Sequence, residues 1–139
     1  FPQDDDIFGL YRIMTYGQQR VVQAEQLYKK GNLLYNEKKF EEAFNLFNQA
    51  FDLDPLEYTY ALNTGFALYE NGKDEEAIQY FKMAGNSQKS AIKEKAMRYT
   101  ALSFYKIGAQ SESCAVFMKL MNTYPKRMYR QEFNKYCSN

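Results

Sequence analysis

Advance the sequence by 34 residues and it falls on itself, and self-similarity at that period constrains the fold more than any other property of the chain. Gly31 lands on Gly65, Leu34 on Leu68, Ala43 on Ala77, Phe47 on Phe81 and Ala50 on Ala84. A second advance, now of 36, carries Leu68 to Phe104, Gly72 to Gly108 and Phe81 to Phe117. Gly65 becomes Ala101 and Ala77 becomes Ser113, both still small. Pro55 and Pro125 each close a unit, and the two extra residues fall in the polar stretch 85–90, which can absorb them in a turn. The 139 residues are therefore one short array of repeats.

Each unit reads as two helices. The first carries apolar residues at helical spacing: Leu27 and Leu34, with Phe40 beyond the turn, then Ala61, Leu62, Phe66, Leu68 and Tyr69 in the next unit. Turns are marked by residues 72–74 and 108–110. The second helix opens on acids, Glu41 and Glu42 or Asp74, Glu75 and Glu76, where the positive end of the helix dipole favours them. It continues with Ala, Phe and Ala at i, i+4 and i+7, a single narrow stripe. Small residues at Gly31/Ala43 and Gly65/Ala77 let two helices approach closely, and the Phe of the same stripe fills the wedge between units.

Composition narrows the function. At 45% apolar and 25% charged residues, the chain is ordinary globular material, with no run of about 18 apolar residues to span a membrane. A net charge of +1 is too small for a general nucleic-acid or membrane-surface binder. It is unevenly spread: residues 1–70 hold 11 acids and 6 bases, residues 71–139 hold 6 acids and 12 bases. Such a dipolar chain suits head-to-tail contacts or a polarised binding surface. The absence of His removes the commonest metal ligand and general base. No nucleophile elbow, phosphate loop, dinucleotide fingerprint or zinc-protease motif occurs. The paired acids at 41–42 and 75–76 sit in helix first turns rather than facing each other across a cleft. The expectation is a protein without catalysis, cofactor or metal.

The segments 31–35 with 39–43 and 65–69 with 75–77 resemble the tetratricopeptide repeat. That resemblance implies an all-α fold: a right-handed superhelical array of antiparallel helix pairs, with units at 24–57, 58–93 and 94–127. An N-terminal helical segment, 1–23, precedes them, and a capping helix, 128–139, follows. The third unit is degenerate at Ser113 and Leu120, and Leu27, Ala61 and Met97 stand where the family has an aromatic. Related pentatricopeptide arrays bind RNA, but the charge and three units here argue against it.

The ends read as caps. Residues 126–137 form a short helix with Met128, Phe133 and Tyr136 as its apolar contacts, as an array needs to stay soluble. Asp4, Asp5 and Asp6 can cap a helix over 7–16, stopped at Gly17 and apolar enough either to pack on the first unit or to pair with a second copy. Because Phe1 rather than Met opens the sequence, a signal peptide, another domain or a trimmed region is expected before it. Cys114 lies eleven residues before Pro125 and Cys137 twelve after it, so antiparallel helices would set them side by side. They are either a disulfide that pins the last helix, implying an oxidising compartment, or two separate thiols. Two Cys without His make half a zinc site at most.

The resemblance also implies a binding surface, since the first helix of each pair lines a groove in this family. Its spacing places Tyr28, Asn32 and Tyr35 there from unit one, Leu62, Asn63, Phe66 and Tyr69 from unit two, and Lys95, Arg98, Leu102 and Tyr105 from unit three. With an aromatic centre and a basic third unit, the groove fits a peptide with an apolar middle and an acidic or carboxylate end. One subfamily clamps a terminal carboxylate with a Lys, two Asn, a Lys and an Arg. Asn32, Asn63 and Lys95 match that pattern, whereas Tyr28 replaces the first Lys and Arg98 falls one position early. The expected function is a scaffold or assembly factor holding a polypeptide segment in a secretion or envelope system. The alternative is a small three-repeat type III secretion chaperone, cytosolic and dimeric through residues 7–16.

Overall fold

A computed structural model describes residues 14–138. All regular structure among them is helical: α1 (Tyr16–Asn36), α2 (Phe40–Leu53), α3 (Tyr58–Glu70), α4 (Asp74–Ala84), α5 (Ser90–Lys106), α6 (Gln110–Thr123) and α7 (Arg127–Cys137). They stack in chain order as three pairs, α1/α2, α3/α4 and α5/α6, with α7 against α6, and α3 also touches α5.

One turn is used three times. After each first helix the chain passes through a left-handed residue, Lys38 (φ 62°), Gly72 (φ 77°) and Gly108 (φ 81°). In each case the next amide reaches back to a carbonyl in the last turn: Lys39 N to Leu34 O, Lys73 N to Leu68 O and Ala109 N to Phe104 O, all at 2.9 Å. These backward bonds satisfy carbonyls that a helix end would otherwise leave open. Glycine meets the left-handed requirement without cost in two of the turns, and Lys38 meets it with a side chain.

Within each pair the stripe closes the wedge. Phe47, Phe81 and Phe117 are buried, as are Ala43, Ala50, Ala77 and Ala84. A Cβ on Gly31 would meet the Phe47 ring at 2.6 Å, and one on Gly65 the Phe81 ring at 2.6 Å, which is why neither position carries a side chain. The third unit solves the same problem differently. Buried Ser113 donates its hydroxyl to Ala101 O at 2.8 Å, so the polar substitution is satisfied, and Leu120 fills the place of a later Ala.

The two extra residues of the second unit are not confined to a turn. α4 stops at Gly85, a turn earlier in the repeat phase than α2, and α5 starts a turn earlier than α3.

Two details at the ends differ from expectation, and one expectation is not reached. The helix expected over 7–16 lies almost wholly outside the described residues. Gly17 does not stop a helix: it sits in the first turn of α1, whose start is fixed by a capping box in which Gln18 N donates to Thr15 Oγ1 (3.2 Å) and Thr15 N to Gln18 Oε1 (2.8 Å). In α7 the inward stripe is Tyr129, Phe133, Tyr136 and Cys137; of these only Tyr129 (3% exposed) is buried and the others are half-buried, so Tyr129 is the anchor. Met128 lies a quarter-turn off that stripe and is 42% exposed. Cys114 and Cys137 are joined by a disulfide with 5.6 Å between their Cα atoms.

Candidate functional site

The first helices and α7 lie along one face, and their contacts link every unit to the next. Asn63 Nδ2 donates to the Tyr28 hydroxyl (3.1 Å) between α1 and α3. Lys106 reaches from α5 to the Tyr69 ring, with its Nζ 3.8 Å from the centroid. Arg98 Nε donates to Glu132 Oε1 (2.9 Å) between α5 and α7.

The centre of this face is aromatic. Phe66, Tyr69 and Tyr99 meet edge to face, with centroids 4.8 Å apart for Phe66–Tyr99 and 5.3 Å for Tyr69–Tyr99. All three also contact the buried Phe81 ring beneath them. Tyr35 and Tyr105 occupy the place of Tyr69 in the neighbouring units. Tyr35 packs on Phe40 (5.2 Å), and Tyr105, 45% exposed, packs on Tyr136 (4.6 Å). Phe66, Tyr69 and Tyr35 are half-buried, so their rings are held from below and open above. Burial, then Glu70 and Tyr99, push the Tyr35 phenol above its ordinary value; burial, then Tyr99 and Asp74, do the same at Tyr69. Both are neutral phenols that can donate a hydrogen bond.

The charges on this face are largely committed. Burial works against the Arg98 charge, but the hydrogen bond and charge of Glu132 outweigh it and hold the guanidinium above its ordinary range. Lys106 pairs with Asp74 (3.1 Å). Glu94 accepts from Lys126 and from the Tyr129 hydroxyl (2.6 Å), and these bonds hold its carboxyl below the usual value. Burial and the bond to Glu94 together push the Tyr129 phenol up.

The expected residues thus divide. Tyr35, Phe66, Tyr69 and Tyr105 form the aromatic run, and exposed Lys95 has no ion partner among the described residues. Asn32 is half-buried on the same face. Leu62 needs correction: at 5% exposed it is core, packed with Leu68, Ala77 and Phe81, because α3 is covered from both sides. Leu102 is half-buried in the cluster that binds α7. Tyr28 packs on Tyr60 (5.0 Å) and takes the Asn63 amide, so these two bind each other. Arg98 is engaged by Glu132 and cannot serve as a free clamp residue. The sequence reading assigns no place on this face to Tyr99 or Glu132, and it has Tyr136 only as an apolar contact of the last helix. One more advance of 34 would have found the last two, carrying Arg98 to Glu132 and Leu102 to Tyr136.

Among the described residues no cluster of acids and Cys could hold a metal, and no helix is long and apolar enough to cross a membrane. Fold and face together define a helical-repeat protein whose inner helices offer an aromatic surface. Sequence models described as tetratricopeptide repeat match residues 28–91 and 95–127. The chain belongs to the tetratricopeptide repeat family. Among solved structures it is similar to the N-terminal domain of stress-induced protein-1 from C. elegans (23% identity, 84% of this chain and 96% of that one, TM-score 0.76). It is also similar to the second such domain of human RPAP3 in complex with the HSP70 peptide SGPTIEEVD (18%, 88% and 99%, TM-score 0.74). A third is the Yersinia enterocolitica type III secretion chaperone SycD in complex with a peptide of the translocator YopD (20%, 80% and 83%, TM-score 0.67). A search of curated proteins finds no match.

Proposed function

We propose that this chain is a non-catalytic protein–protein interaction module that holds an extended polypeptide segment along the face of its first helices. The observation carrying the proposal is the half-buried run of Phe66, Tyr69 and Tyr99, flanked in repeat register by Tyr35 and Tyr105. Such rings give large contact area at low entropic cost, with phenol tips to bond a peptide backbone. The segment it fits is apolar at its centre. An acidic end would be met by Lys95 and Asn32 rather than by Arg98, whose charge Glu132 already answers. Membership of a family that supplies peptide-binding modules, and the peptides held by the RPAP3 and SycD domains, support the reading.

The Cys114–Cys137 bond favours an oxidising compartment, hence an assembly or envelope role. Likeness to SycD favours the second reading, a secretion chaperone, which is cytosolic and thiol-containing. Intact mass after blocking free thiols, with and without reductant, separates the two.

Peptides selected from a displayed library should share an apolar or aromatic core. Phe66→Ala and Tyr69→Ala should each weaken the selected peptides by more than about 1 kcal/mol, as hot spots do. Unchanged affinity in both variants, with intact helicity, would remove the face from the binding site.

A further inference from the structure

The junction between units one and two and the junction between units two and three can be compared position by position. At the first, Phe51 lies half-buried between the units, and Tyr80 sets its ring on Phe44 (6.2 Å) while donating its hydroxyl to Asn48 Oδ1 (3.0 Å). At the second, Phe51 is replaced by Gly85 and Tyr80 by Val116, removing both rings. A cavity of about 270 Å³ lies there, lined by the C-terminal end of α4 and by α5 and α6, with Phe81, Met97 and Val116 among its walls.

Charge reverses at the same place. Asn48, Glu57 and Met83 of the first junction correspond to Lys82, Lys93 and Lys119, all lining the cavity. None of these three lysines has an ion partner among the described residues. All three are exposed lysines at the edge of an apolar hollow, where an anion can meet their positive charge, and the Lys82 ammonium also lies 5.3 Å from the Phe104 ring centroid. On α5, residues 93, 97 and 100 face roughly opposite to 98, 102 and 105, so the cavity is separate from the aromatic face.

We propose that this second junction binds a small aromatic anion: a ring in the space that Phe51 and Tyr80 fill at the first junction, and one carboxylate among Lys82, Lys93 and Lys119. The proposal does not depend on the peptide reading of the other face.

The test is an amide NMR titration of the protein with 3-phenylpropionate, with the neutral 3-phenylpropan-1-ol as its control. Saturable shifts should centre on Gly85, Met97 and Val116, and the alcohol should bind more weakly. The double variant Lys93→Gln/Lys119→Gln should raise the Kd about fivefold or more, and Val116→Phe, which restores a ring, should abolish the shifts. The lysine variant alters no packed side chain, so it decides the matter even if Val116→Phe perturbs the fold. Equal binding of acid and alcohol, shifts indifferent to the lysine variant, or no saturable shift at millimolar ligand would overturn the proposal. So would saturation by a peptide bearing an acid-flanked Phe where phenylpropionate fails.

Discussion

From α1 to α4 the helices are held together mainly through rings, whereas from α5 to α7 polar and covalent contacts are added to the rings. Phe47 touches Tyr28 and Tyr35, and Phe81 touches Phe66, Tyr69 and Tyr99, so the Phe wedge of each early unit is the hub of an aromatic group. In the last unit Phe117 stacks on Tyr136 (5.3 Å), but the hold on α7 also includes Arg98–Glu132, the Glu94 bonds to Lys126 and Tyr129, and the disulfide. The contrast has a structural cause. α3 is sandwiched and buries Tyr60, Ala61, Leu62, Thr64, Gly65, Ala67 and Leu68, while the terminal α7 buries Tyr129 alone. A helix covered on one side has less apolar area to bury, and other bonds make up the deficit.

That difference can be attacked from both sides. The largest effect is expected from Phe81→Ala, which removes the hub between two units. A loss of about 3–5 kcal/mol in urea unfolding is expected for a buried Phe, with the tyrosine near-ultraviolet signal lost in the same transition. A loss below about 1 kcal/mol would mean that the rings are not what joins the early units. Reduction of Cys114–Cys137, which closes a loop across 23 residues, should cost about 3 kcal/mol. Hydrogen exchange should rise in α7 and leave α1 to α4 protected. Uniform loss of protection would show that the last helix is not an independent opening unit. The smallest effect concerns the turn that all units share. Lys38→Gly should stabilise by about 0.5–1 kcal/mol, because Gly72 and Gly108 already meet the left-handed requirement that Lys38 meets under strain. A thermal scan reads it, and a fall in midpoint would contradict it.

Legibility in the sequence follows the same divide. The Ala–Phe–Ala stripe and its facing glycines recur because close packing leaves those positions no freedom, so spacing alone locates them. Tyr35, Tyr69 and Tyr105 were legible for the same reason, being in register. Leu62 was not, since how much of a helix is covered depends on its neighbours, not on its own periodicity. Arg98 reads as a basic groove residue because its partner, Glu132, lies one further advance of 34 along, on α7, and nothing within its own unit announces it. Hydropathy points to Met128 rather than Tyr129 because it ranks Met as the more apolar, while a ring with a bonded hydroxyl can be buried as well.

The covalent bond has a mechanical corollary. Cys137 is the last residue of α7 and Cys114 lies in the first half of α6. Tension arriving at Ser138 therefore passes from sulfur to sulfur into α6 and bypasses the intervening chain. Under load the oxidised protein would transmit force with α7 slack, and the reduced protein would peel from that helix inward, so a pulling measurement would read the oxidation state as a change in rupture order.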